Sequence, residues 1–189
     1  MIEPSPYSLL KKGALLIASP EISSGIFSRS VILLCEHSPA GSFGLIVNKP
    51  LHIDIPEDLL DLKTVSNTKI HMRTAGPIQP NQMMLLHNCK ELEQTLKVTE
   101  DVFLGGDLEF LQESIAKADG PSILLCFGYA GWGPGLLERD FMNGSWILTS
   151  GTSDYIFESP SDKLWQQTLR DKGGKYATLS LIPEDLSLN

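Results

Sequence analysis

An α+β domain is predicted from three observations. First, strand and helix patterns do not alternate strictly along the chain, which disfavours a doubly wound parallel sheet. Second, the 189 residues are 42% hydrophobic and 20% charged, and no long tract of Pro, Ser or like charge marks a linker. A chain of this length supports a core without disulfides or metals, so a single domain over 1–189 is expected, with its core at about 13–176 and a tail at 183–189. Third, the stretch 122–150 reads as strand, glycine-rich turn, short helix and strand, and the rest of the chain is organised around it.

In chain order, residues 13–19 form a first strand, which Ser19-Pro20 closes because proline has no amide to donate to a ladder. A polar loop at 21–30 carries Phe27. Apolar runs at 31–37 and 44–48, separated by turn residues at 38–43, predict an antiparallel hairpin. One or two helical turns are expected at 56–62. Strands are expected at 69–73, before a turn at Ala75-Gly76-Pro77, and again at 83–87 and 102–104. The clearest helix is 107–118: Asp107 caps it, Leu108, Leu111, Ile115 and Ala118 recur at three and four, and Gly120-Pro121 ends it.

Residues 122–127 then make a strand buried on both faces, followed by glycines at 128, 131, 133 and 135. Gly131 or Gly133 is expected at positive φ, turning Trp132 to a fixed partner surface. Pro134 begins a short helix with Leu137 and Phe141 on one face, Asn143-Gly144 stops it, and 146–149 is a strand. Beyond lie an edge strand at 155–157, a helix and a last strand at 176–182. That helix has Leu164, Trp165, Thr168 and Leu169 on one face and Gly173-Gly174 at its end.

No apolar run approaches the 18 or so residues that span a bilayer, so no membrane association is expected. The run after Lys11-Lys12 is too short for a secretory core and reads as a strand. Three cysteines, Cys35, Cys89 and Cys126, without C-x-x-C spacing, fit a reducing compartment, and the cytoplasm is expected. Cys35 and Cys126 fall in apolar strand runs, whereas Cys89 is expected at the surface. The formal charge of -8 is uneven, because 91–119 holds eight acids against Lys97 and Lys117. That segment predicts an acidic face, which serves solubility or docks a basic partner.

Chemistry is less plainly written. Gly131-x-Gly133 is followed by Leu136 where a dinucleotide fingerprint needs glycine, and Pro134-Gly135 stand where a Walker loop needs Lys and Ser or Thr. Glu138 and Asp140 would repel an anion from the N-terminus of the short helix. His37, His52, His71 and His87 lack ligand spacing, so no metal and no cofactor are expected. No G-x-S-x-G elbow surrounds a serine. His37, at a strand end, reads either as a base or as a structural histidine bonded within the hairpin. Tyr129 and Trp132 read either as a ligand wall or as core aromatics.

LLIASP at 15–20, SVILLCEH at 30–37 with Phe27, GLIVNKP at 44–50, Leu86-His87, Gly105-Gly106-Asp107, FGYAGWGPG at 127–135 and Trp146 occur in this order. Together they resemble the YqgE/AlgH family of bacterial cytoplasmic proteins, over about 13–176. The resemblance implies an α+β fold in which a bent, branched, mixed but mostly antiparallel sheet makes a barrel-like core flanked by helices. It brings no settled activity. Some members carry the label of transcriptional regulator, but this chain shows no helix-turn-helix spacing and no basic recognition element. Two departures stand out: Ala75-Gly76-Pro77 where the family commonly has Gly-Gly-Pro, and Leu136 where it commonly has glutamine.

The function expected is that of a binding or regulatory module without intrinsic catalysis, acting on a protein or small-molecule partner. Its surface is expected near 129–138 or on the acidic face. The candidate binding residues are His37, Asn48, Gly76, Pro77, His87, Tyr129, Trp132 and Glu138. The competing reading is an enzyme acting on a small molecule, its site built from loops around His37, Asn48, His87 and Tyr129. Charge argues against nucleic acid as a partner. Duplex affinity comes mainly from neutralised phosphates, and a chain of charge -8 with scattered bases lacks the required patch. Fluorescence anisotropy with random duplex DNA at about 150 mM salt is expected to show no binding at micromolar concentration; micromolar affinity that falls steeply with added salt would contradict this.

Overall fold

Nine strands and four α-helices fill residues 6–51 and 69–184, the part of the chain that the computed structural model describes. The strands are β1 (Ala14–Ala18), β2 (Val31–Ser38), β3 (Gly41–Ile46), β4 (Ile70–Thr74), β5 (Ile78–His87), β6 (Leu96–Lys97), β7 (Phe103–Leu104), β8 (Ile123–Trp132) and β9 (Trp146–Ser150). The helices are α1 (Leu108–Ala116), α2 (Leu136–Met142), α3 (Leu164–Lys172) and α4 (Gly174–Leu179). Strand order is β6-β7-β5-β8-β3-β2-β1-β9, with β4 branching from β8. Among the described residues only the β4–β8 ladder is parallel, so the sheet is mixed and mostly antiparallel. The path has two free ends, β6 and β9. The sheet is therefore open, and the barrel-like closure implied by the family resemblance is not formed.

Strand β8 belongs to both halves of this sheet. Its first half pairs with β4 on one side and β5 on the other, and its end, Ala130 to Trp132, pairs with β3. Between them the alternation slips by one residue. Leu124 and Cys126 face the same core as Tyr129, while Ala130 faces the opposite one. Gly128 supplies the slip with φ of 75°, a conformation that L side chains resist. At this point the chain at Ala75-Gly76 crosses β8 at backbone contact distance. The Ala75 amide donates to the Phe127 carbonyl (2.8 Å), and the Ile46 amide of β3 donates to the Ala75 carbonyl (2.9 Å). A Cβ on Gly76 would lie 2.0 Å from the Tyr129 carbonyl carbon, and one on Gly128 would lie 2.3 Å from the Gly76 carbonyl oxygen.

The bend creates three apolar layers. Inside the curve, Leu15, Leu33, Cys35, Leu45, Leu86 and Cys126 pack with Trp165 and Leu169 of α3. Trp165 is anchored by donating its Nε1–H to the Ala18 carbonyl at 2.9 Å. On the outer side of β1–β3, Leu16, Ile32 and Ile46 pack with Leu137 of α2 and with Trp146. On the outer side of the other half, Leu85, Ile123 and Leu125 pack with Leu111 of α1. That helix begins as expected, with Asp107 accepting from the Phe110 amide at 2.9 Å, a cap worth about 1 kcal/mol.

Four expectations are corrected. The glycine-rich segment after 127 turns only at its end: β8 runs through it to Trp132, and the chain turns at 134–135 before α2. Neither Gly131 nor Gly133 has positive φ; Gly128 and Gly135 do. Residues 154–158, expected to include an edge strand, form a π-helical turn that buries Ile156. The last strand expected at 176–182 is instead α4 and a turn. Its apolar, β-branched pattern suits a strand, but tertiary context decides, and Lys172 Nζ donates to the Leu148 carbonyl at the free edge of β9. The helical turns expected at 56–62 and the end of the tail lie outside the described residues.

The crossing makes a direct test. Gly76→Ala and Gly128→Ala are each expected to destabilise the protein by roughly 2 kcal/mol or more in thermal unfolding, from backbone overlap at the first and an unfavourable φ at the second. Gly133→Ala, whose added Cβ meets nothing closer than Leu136 at 3.5 Å, is expected to stay within about 0.5 kcal/mol. Wild-type melting of the first two variants would refute the crossing.

Candidate functional site

The hairpin β2–β3, the end of β8 and helix α2 meet at one corner of the molecule. Register explains how. His37 lies opposite Ser42 in the hairpin, and Ser42 lies opposite Trp132 of β8, so all three side chains share one face of the sheet. On that face Leu137 fixes α2 by its burial against the outer layer, and the helix presents Glu138 and Asp140. His37 Nδ1 is 2.6 Å from Ser42 Oγ, and its Nε2 is 3.5 Å from Glu138 Oε1. Trp132 donates its Nε1–H to Asp140 Oδ2 at 3.2 Å and meets Trp146 edge to face at 6.0 Å. The His37 and Glu138 side chains are 16% and 30% exposed, so the pair is reachable from solvent. A shallow recess of about 290 Å³ opens here, lined by Glu36, Gly41, Ser42, Phe43 and Trp132 among others.

Tyr129 occupies the opposite face. It meets Phe43 edge to face at 6.1 Å, and with Gln79, Gln82 and Met84 the two rings line a recess of about 380 Å³. Gln79 is one of three non-glycine residues at positive φ among the described residues, which marks this rim as strained. Gly76 acts through its missing side chain at the crossing, and Pro77 is exposed beside it.

The other candidates are structural. Asn48 is buried, accepting from the Val31 amide at 2.8 Å and donating to the Arg29 carbonyl at 2.9 Å, which ties the 21–30 loop to the end of the hairpin. His87 is fully buried between Phe103, stacked at 5.9 Å, and Phe110, tilted at 4.9 Å. Its Nδ1 accepts from the Cys89 amide at 3.2 Å, which puts the ring proton on Nε2, and burial pushes the imidazole down from its ordinary range. Nε2 has no hydrogen-bond partner among the described residues. His37, Asn48, His87 and Tyr129 thus each have different contacts. Two larger grooves, of about 660 and 720 Å³, contain none of the candidate residues.

Cys35 and Cys126 are fully buried, and burial pushes the Cys126 thiol up to about 12 and that of Cys35 higher. Cys89 is half-buried. Along 91–119, seven of the eight acids are exposed and Asp101 is half-buried. Among the described residues no helix is long and apolar enough to cross a membrane. Ser42 and Asp140 complete the corner yet were not candidates from sequence. A hairpin loop placed at 38–43 hides Ser42, which enters β3 only because the chain reverses at Pro39-Ala40. Asp140 was readable only as a helix acid.

The family model described as AlgH-like matches residues 15–177. The chain belongs to the AlgH-like family. It is 54% identical over 185 residues to a UPF0301 protein of Chlamydia caviae, covering 97% of this chain and 98% of that one. A UPF0301 protein of Chlorobium luteolum is 35% identical over 189 residues, at 97% of both chains. The solution structure of the AlgH protein from Pseudomonas aeruginosa matches with a TM-score of 0.70 and 25% identity, over 97% of this chain and 98% of that one. The crystal structure of protein DIP2367 from Corynebacterium diphtheriae shares the fold, with a TM-score of 0.74 and 21% identity over 96% and 95%. In this AlgH-like chain the two departures fall differently. Ala75 is fully buried and its methyl joins the inner core, whereas Leu136 is 40% exposed at the start of α2.

Proposed function

We propose that this AlgH-like protein is a binding or regulatory module without catalysis of its own, and that it binds through the corner formed by the hairpin, the end of β8 and α2. One observation carries the reading. His37, Ser42, Trp132, Glu138 and Asp140 gather at a solvent-accessible corner, while Asn48 and His87 are buried elsewhere and accept from main-chain amides. Two hydrogen bonds, His37 with Ser42 and Trp132 with Asp140, fix polar groups of the corner, and Trp132 packs on the outer core against Trp146. The corner also has apolar contact area, since Leu136 and Met142 of α2 are 40% and 60% exposed. Such a mixture of fixed polar groups and exposed apolar side chains suits recognition of a protein or a small molecule. Three free thiols are compatible with a cytoplasmic setting.

Amide chemical-shift mapping with a cell metabolite extract, and then with cell protein fractions, tests the reading. Perturbations are expected to centre on 36–43 and 129–142, with the composition of the extract unchanged. Perturbations centred on Asn48 and His87, accompanied by consumption of an extract component, would contradict it.

A further inference from the structure

We propose that Ser42 is a nucleophile that accepts an acyl group from a neutral or cationic ester or thioester, so that the corner is a site of covalent modification. The argument starts from the ring of His37. Glu138 can only accept, so its oxygen 3.5 Å from Nε2 favours the tautomer with the proton on Nε2. The lone pair is then on Nδ1, 2.6 Å from Ser42 Oγ, and the hydroxyl donates into it. A hydroxyl held by a base, with the base oriented by a carboxylate, is the arrangement that raises serine nucleophilicity.

The approach to Ser42 selects the donor. Ser42 lines the 290 Å³ recess together with Trp132, which shares its face of the sheet. Glu36 lines the same recess and is exposed, so its carboxylate repels acyl phosphates and other anionic donors. In the reaction, Ser42 Oγ attacks the carbonyl carbon as its proton passes to His37 Nδ1, and the new Oγ–C bond forms. Collapse of the tetrahedral species breaks the bond to the leaving alkoxide or thiolate, which takes the proton back from His37. No electrons are gained or lost. Glu138 is a positioning residue, its carboxylate facing His37 Nε2 at 3.5 Å.

This inference deepens the binding-module reading, because it uses the same corner, and the two fail separately. The whole chain is incubated with p-nitrophenyl acetate, or with acetyl phosphate as the anionic probe, and analysed by intact mass and peptide mapping. One acetyl group on Ser42 is expected from the neutral ester and far less from acetyl phosphate. Ser42→Ala removes the adduct, and His37→Gln slows it by about 10²-fold. Glu138→Gln, on the helix surface, slows it at an unchanged melting temperature, with part of the rate returning in Glu138→Asp. Acetyl groups on lysines alone, an unchanged rate at Ser42 in His37→Gln, or equal reaction with acetyl phosphate would overturn the proposal. Steady release of p-nitrophenol after the first equivalent, lost in Ser42→Ala, would uphold the serine and overturn the non-catalytic reading. Ligand-induced shifts at the corner without an adduct would do the reverse.

Discussion

The close passage of two backbones at Gly76 and Gly128 is the constraint on which the molecule depends. At that point the Ala75 peptide bonds simultaneously to β8 through Phe127 and to β3 through Ile46, joining the two halves of the sheet through main-chain groups alone. Backbones approach this closely only where no Cβ intervenes. The hydrogen bonds satisfy buried peptide groups that would otherwise be left unpaired at the strand bend. Ala75 itself tolerates a methyl because its Cβ points into the inner core instead of the crossing.

The position of the corner follows from this crossing. The slip at Gly128 sends Tyr129 to the inner face and Ala130 and Trp132 to the outer one. With Trp132 outside, its indole reaches Asp140 and helps seat α2 over the outer layer. The seated helix then brings Glu138 within 3.5 Å of His37 across the hairpin. A site built on strands and a packed helix holds its geometry better than one built on loops. The residues of this corner therefore owe their arrangement to a glycine four positions before Trp132.

Much of the fold was legible because local signals and tertiary packing agree there. Asp107 caps α1, the face of Leu164, Trp165, Thr168 and Leu169 is buried as its spacing indicates, and the hairpin pairs as the apolar runs suggest. The glycine segment was misread because glycine marks both a turn and a close approach, and only the partner backbone distinguishes them. Residues 176–182 carry strand propensity yet form α4 and a turn, and at the free edge of β9 the Leu148 carbonyl accepts from Lys172 Nζ instead. At the site, Trp132 and Glu138 were legible as an aromatic and an acid in and just after the glycine segment, and His37 as a histidine at a strand end, whereas Ser42 depends on a hairpin register that composition leaves open. Asn48 and His87 were candidates for the same reason as His37, a polar group at a strand end. Their partners are main-chain groups and aromatic rings, which a sequence does not display.

Native-state hydrogen exchange of β8 tests the central claim most directly. If the crossing welds the two half-sheets, the amides of Leu125 and Ala130 exchange through one shared global opening, with equal free energies and equal denaturant dependence. An Ala130 amide that opens at lower free energy and with a smaller denaturant slope than Leu125 would mean that the halves unfold independently, and the account built on the crossing would be wrong.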